Sequence, residues 1–281
     1  MSVRLDLRAG WGLSMSEADL RIRPRLWIGF AIWLGYAVLV FVIQKAGGIP
    51  FPEWGDSGLN LFFGAGLSLV IATILLAITT SLLGWWRPAL FDAVKSRHRW
   101  PIFVPILMAL LLVVNLLSAD WASFDGAFLA ASVVLILVGF TEEITTRGLL
   151  LVALRSRLSE VWVWLISSCA FALMHYMNVL LGQGFAPTTQ QVGAAFLAGT
   201  IFYILRRTSG SLIPAMLLHG LWDFSVFAVG HGTPSALAAI ASVLYLGVGI
   251  VGLAVVWFTF RSASDVALGT RNVALPVLRE N

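Results

Sequence analysis

Charge is scarce in this sequence. Asp, Glu, Lys and Arg make up 11% of its 281 residues, where soluble domains carry about a quarter. The apolar share is 59%, more than a soluble fold can hide, so lipid must be the solvent for much of the chain. Cysteine is nearly absent as well. Cys169 has no second cysteine to pair with, which excludes an intrachain disulfide, and its place in an apolar run predicts a buried, inert thiol. Period-two alternation is missing, which excludes a transmembrane barrel. Repeats, low-complexity tracts and loops long enough to fold alone are missing too. What remains is a series of long unbroken apolar runs, which mean helices whose backbone polar groups are satisfied internally.

The runs predict an all-α polytopic membrane protein of about eight transmembrane helices. They fall at approximately residues 26–44, 58–84, 101–118, 126–154, 160–181, 191–205, 210–229 and 236–260. The 26–44 run is followed by Lys45 and a Gly-Gly-Ile-Pro turn with no Ala-x-Ala site, so it reads as a first helix and not as a cleaved signal. Residues 1–25, which mix Leu, Trp11 and Ile22 with arginines, suit a segment lying on the membrane surface. Residues 26–260 form the transmembrane domain, and 261–281 form a tail.

Basic residues supply a test of this layout. Lys and Arg number 18. Alternating eight spans puts sixteen of them on one side: Arg4, Arg8, Arg21, Arg23 and Arg25; Arg87, Lys95, Arg97 and Arg99; Arg155 and Arg157; Arg206 and Arg207; Arg261, Arg271 and Arg279. The other side receives Lys45 with Glu53, Asp56, Asp120 and Asp125. The positive-inside rule makes the first side cytoplasmic, with both termini there. The net charge of +4 is therefore topological and lipid-directed; nucleic acid is not an expected partner. The expected location is an integral position in a bacterial or archaeal plasma membrane.

The remaining basic residue, Arg147, falls inside the fourth span with Glu142 and Glu143. His175 lies in the fifth span, and His219 and Asp223 in the seventh. A charged group at mid-bilayer costs about 2.5–3.5 kcal/mol on insertion scales and marks function by default. Glu143 and Arg147 are four apart, as are Phe171 and His175, and His219 and Asp223, so each pair shares a helix face. Glu142 lies 13 residues from Arg155, His175 15 from Glu160, and His219 12 from Arg207. At 1.5 Å per residue, these separations place all three roughly 18–23 Å from the arginine-rich end. Three helices thus bring ionisable groups to one level, where they can meet in the bundle interior.

Four readings fit such a cluster. A Glu and a His polarise a water that attacks a peptide carbonyl. Alternatively Glu142, His175 and His219 ligate zinc, which activates the water instead. A proton or ion relay would serve a transporter, although no inverted repeat is evident. A purely structural polar network would lock the three helices together, as in a non-catalytic scaffold or immunity-type protein.

The residues also carry a family pattern. Glu142-Glu143-Ile-Thr-Thr-Arg147-Gly148 resembles the EExxxR motif of the CPBP (Abi) intramembrane proteases, which include the type II CAAX prenyl endopeptidases. Phe171-Ala-Leu-Met-His175 resembles their FxxxH motif, and His219-Gly-Leu-Trp-Asp223 their HxxxN/D motif. The motif core spans about 140–224. The resemblance implies helices around a cavity open to the membrane and the cytoplasm, and hydrolysis of a membrane-associated peptide or protein by a glutamate-activated water, with no cofactor; zinc stays an open alternative. It implies Glu142 as general base and His175 as its partner on the water. Glu143 and Arg147, beside Phe171, become supports, while His219 and Asp223 serve the oxyanion or the site's geometry. Two positions depart from the pattern. Thr146 stands where many members have an aromatic residue, and Asp223 where the prenyl endopeptidases have Asn. An ionised Asp cannot donate to an oxyanion; it must be protonated, orient His219 or bind metal.

Other features have plainer readings. His98 and His231 read as solvated loop residues, and Asn115 as a hydrogen bond to a neighbouring helix. Trp85, Trp86, Trp100 and Trp121 read as interfacial anchors. Gly247, Gly249 and Gly252 suit close packing, Asn178 a helix-end hydrogen bond, and Pro214 the kink or start of the seventh helix.

Overall fold

A computed structural model describes residues 20–93, 95–233 and 235–260. Most of the expected surface segment 1–25, the tail 261–281, and Arg4, Arg8, Arg261, Arg271 and Arg279 lie outside the described residues. Within them the chain is helical throughout, with no strand longer than a single bridge between Phe91 and Ser211. The helices are α1 (Leu26–Gly47), α2 (Gly58–Leu83), α3 (Trp100–Ser118), α4 (Gly126–Arg155), α5 (Glu160–Leu180), α6 (Phe185–Ser209), α7 (Ile213–Gly230) and α8 (Ala236–Thr259).

Local chemistry sets their ends. The Ser57 hydroxyl accepts from the Asn60 N–H at 3.1 Å to cap α2, and the Asp125 carboxylate accepts from the Phe128 N–H at 2.7 Å to cap α4. Gly48, Gly84 and Gly210 close α1, α2 and α6 in the left-handed conformation. Pro214 sits in the first turn of α7, where its missing N–H costs nothing, so it starts that helix without kinking it.

Seven of the eight helices are long and apolar enough to cross a membrane. The chain is an integral membrane protein. The exception is α6, expected as an apolar span at 191–205. Its first turns are polar, with Thr188, Thr189, Gln190 and Gln191, and its second half is buried almost without interruption from Ala198 to Thr208. It packs against α5, α7 and α8 and forms the centre of the bundle. A helix surrounded by protein has no need of an apolar outer surface, which is why composition understates it.

Burial also corrects the reading of Arg206 and Arg207. Expected beside the span as topological charges, both are buried in the last turns of α6. Arg206 Nε donates to Asp92 Oδ1 at 2.9 Å and Arg207 Nη1 to Asp92 Oδ2 at 2.6 Å, while Arg155 bridges Asp92 and Glu160 at 2.7 and 2.5 Å. Segment 86–99 makes this possible by folding over the α6–α7 turn: the Leu212 N–H donates to the Leu90 carbonyl and the Asp92 N–H to the Gly210 carbonyl. Burial of Asp92 alone would raise its carboxyl, but the guanidiniums of Arg206, Arg155 and Arg207 outweigh it and hold the group well below the usual carboxylate range.

Smaller readings also resolve. Trp85 is fully buried, with its indole N–H on the Ile22 carbonyl at 2.6 Å, so it is no interfacial anchor; Trp100 and Trp121 are exposed as anchors should be. Cys169 is half-buried. His231 stacks on Phe128 at 3.8 Å and His98 packs edge-on to Phe258, so neither is simply solvated. Asn115 does reach a neighbouring helix, at Ser225 Oγ. Of the α8 glycines, Gly249 lies tight against Leu197, whereas Gly247 faces open space.

Candidate active site

The α4 segment carries the first motif on an irregular stretch. Regular α-helix at Leu137–Glu143 passes into π-helix over Ile144–Leu150 and returns to α-helix at Leu151–Arg155. Single π turns inside α-helices recur at functional sites because they re-aim side chains. Here the turn follows Glu142 and Glu143 and contains Arg147. Arg206 Nη1 donates to the Arg147 carbonyl, tying the stretch to the Asp92 network.

Glu143 and Arg147 are wholly buried and paired, Arg147 Nη1 donating to Glu143 Oε1 at 2.7 Å. Thr146, the position without the usual aromatic residue, accepts from the same nitrogen at 3.0 Å. The aromatic contact comes from elsewhere: the guanidinium lies over the Phe171 ring, 4.0 Å from its centroid. Gly199 of α6 makes the room, since a Cβ there would overlap Arg147 Nη2.

His219 Nδ1 donates to Glu143 Oε1 at 3.1 Å. The Glu143 carboxylate thus accepts from both Arg147 and His219, which fixes the proton on Nδ1 and turns Nε2 towards Asp223 Oδ2 at 3.6 Å and Glu142 Oε2 at 4.0 Å. The imidazole stacks on Phe202 at 4.6 Å, and Phe171 meets it edge-on. His175 Nδ1 donates to the Phe171 carbonyl at 3.2 Å; a carbonyl can only accept, so Nε2 is left as the free acceptor.

Glu142, Phe171, His175, His219 and Asp223 line one cavity of about 440 Å³, within the range of ligand sites. Glu143 and Arg147 lie behind its wall. Glu142 and Asp223 remain partly open, with 17% and 40% of their side chains exposed. Glu142 Oε2 is itself covered yet meets no hydrogen-bond partner among the described residues. The zinc alternative fares less well: no group of three His, Cys, Asp or Glu side chains among the described residues stands at metal-ligand spacing, so Glu142, His175 and His219 do not form a ligand set as they are arranged.

Residues 124–225 of the chain match a family model described as type II CAAX prenyl endopeptidase Rce1-like. The match, which covers little over a third of the chain, supports a CPBP/CAAX protease family. That family indicates a protease acting in a lipid environment on a membrane-associated protein. No curated protein matches the chain. The matched segment holds all three motifs, and it ends two residues after Asp223.

Several contributors escaped the sequence reading. Gly139 and Gly220 face each other where α4 crosses α7: a Cβ on Gly139 would overlap the Met216 carbonyl, and one on Gly220 the Ile136 carbonyl. This close approach brings His219 onto Glu143. Their positions beside Glu142 and His219 were the available signal. Tyr36 of α1 also lines the cavity and donates to Thr141 Oγ1 at 3.2 Å. Asn178 does more than end a helix; it lines the cavity and donates to Gln191 at 3.0 Å.

The separation of His219 from Arg207 along the chain overstates its depth in α7. His219 is only six residues from the start of α7, roughly 9 Å along it. It still meets Glu142 because the α6–α7 turn is recessed beneath segment 86–99 and does not sit at the bundle end. The cavity, moreover, does not run towards the arginines. From Glu142 and His219 it extends past Gln44 and Asn178 to Phe51 and Trp54 in the α1–α2 connection, and Val226 lets it meet the lipid face. An opening to the cytoplasm, implied by the resemblance, and a cytoplasmic arginine-rich end cannot both hold.

Proposed function

We propose that the protein is an intramembrane endopeptidase that hydrolyses its substrate by a water activated between Glu142 and His175. The observation that carries this reading is that Glu142, with 17% of its side chain exposed, lines one cavity together with His175, His219 and Asp223. Glu142 accepts a proton as the water oxygen bonds to the peptide carbonyl carbon. His175 Nε2, turned free by the Phe171 carbonyl, accepts the second water hydrogen bond and orients the nucleophile. The carbonyl π electrons move to oxygen, and the imidazolium form of His219, held between Glu143 and Asp223, presents Nε2–H to that oxyanion. Collapse breaks the C–N bond, and the proton on Glu142 passes to the leaving amine. Asp223 acts as an acceptor beside His219 and makes no direct contact with the oxyanion. Glu143 and Arg147 position His219 without touching substrate.

The test is cleavage of a membrane-anchored substrate, identified by comparing peptides from cells with wild-type and Glu142→Ala protein. Purified Glu142→Gln should lose roughly 10²- to 10⁴-fold in rate, the contribution of a positioned general base, while its melting temperature stays near wild type. Wild-type activity should survive a metal chelator. A Glu142→Gln enzyme that cleaves at the wild-type rate removes the mechanism.

A further inference from the structure

The cavity's direction and the chain's charge distribution together bear on where the substrate comes from. The eight helices alternate, so one end of the bundle holds the chain before α1, segment 84–99, the α4–α5 turn and the α6–α7 turn. The other holds the connections at 48–57, 119–125, 181–184 and 231–235. At the first end the described residues include eight exposed Lys and Arg, among them Arg87, Arg97, Arg99 and Arg157. Arg155, Arg206 and Arg207, paired there with Asp92 and Glu160, are not among the eight. At the second end the exposed cation is Lys45, beside Glu53, Asp56 and Asp125. Charge of this asymmetry in short loops sets orientation, placing the first end in the cytoplasm.

The cavity belongs to the second end. Most of its lining comes from the middle of a helix or the half nearer that end, with Gln44 late in α1, Leu135 and Glu142 in the first two-thirds of α4, Asn178 late in α5 and Gln191 early in α6; Phe202 of α6 and His219 of α7 form its limit towards the arginine end. Phe51 and Trp54, from the connection itself, line its far limit. At the arginine end the way is closed: Arg147, Arg206 and Arg207 are buried beneath segment 86–99. Among the described residues, the cavity thus extends from Glu142 towards the second end, while a buried ion network separates Glu142 from the first.

We propose that the site takes its substrate from the side of the membrane opposite the cytoplasm: a membrane-anchored or exported peptide whose scissile bond lies at that leaflet, and not a lipid-modified chain end presented in the cytosol. The proposal rests on the peptidase reading above for what is done there, but its geometry is tested without activity. In a Cys169→Ser background, a single thiol is placed at Gln190, exposed at the cavity end, or at Ser156, exposed at the arginine end. Spheroplasts and inverted vesicles are treated with a membrane-impermeant maleimide. The Gln190→Cys protein should label in spheroplasts and Ser156→Cys only in inverted vesicles. Labelling of Gln190→Cys from the cytoplasmic side, from both sides or from neither in the native protein overturns the proposal, as does labelling of Ser156→Cys in spheroplasts. A Glu142→Gln enzyme that still cleaves would instead overturn the peptidase reading and leave the labelling pattern unchanged.

Discussion

At the residue scale, the geometry of the site depends on groups that lie behind the cavity wall. The Glu143 carboxylate is shared between Arg147 and His219, so the buried pair serves to aim an imidazole. Taking one member away would strand a buried charge, which costs several kcal/mol. Gly199 offers a milder perturbation. Gly199→Ala should press a methyl group into the Arg147 guanidinium, destabilise the protein by about 1–3 kcal/mol as overpacking does, and lower kcat more than it raises KM. Thermal unfolding in detergent together with cleavage kinetics checks both parts; an unchanged melting temperature and rate would mean that Arg147 moves freely. The motif residues were legible because ionisable groups in apolar runs are conspicuous. Gly199 was not, because a glycine shows its purpose only when the neighbour it makes room for is known.

At the scale of the elements, three features assemble the site: the π turn in α4, the contact of Gly139 with α7, and the recessed α6–α7 turn. The helices themselves follow from the apolar runs, and most ends from Ser, Asp, Pro and Gly at the expected places. The π turn follows from no sequence pattern in Ile144–Leu150 that singles it out from an α-helix. Gly139→Ala or Gly220→Ala should push α4 and α7 apart. Each is predicted to cost about 1–3 kcal/mol by overpacking and to reduce cleavage by more than the loss of folded protein accounts for, since His219 would leave Glu143. Activity per folded molecule, measured after size-exclusion chromatography, decides this; full specific activity in both variants would show that the crossing tolerates the methyl groups.

At the scale of the whole molecule, the Asp92 network fastens segment 86–99, α4, α5 and α6 at the end remote from the cavity. Its pH dependence follows from the direction of the Asp92 shift. The folded state holds that carboxyl far below its unfolded value of about 3.9, so its contribution to stability is complete above that value and is lost as pH falls below it towards the folded pKa. The melting temperature should therefore be insensitive to this group from neutral pH down to about 5 and fall below about 4. Asp92→Asn should be destabilised at pH 7 by about 3–5 kcal/mol, as expected for a buried ion network with one partner removed, and show a shallower loss in acid. An Asn variant as stable as wild type at pH 7 would show that the three arginines find other partners.

The sequence alone determined that this chain lives in a membrane as a helical bundle, and it named Glu142, His175, His219 and Asp223, because lipid makes every charged group in a span stand out against its cost. Only the tertiary structure decided which of them face the cavity, which lie behind its wall, that Arg206 and Arg207 are structural, and towards which end the cavity opens. Those outcomes depend on how far helices approach and where turns are recessed, and spacing along a chain does not encode distances between helices.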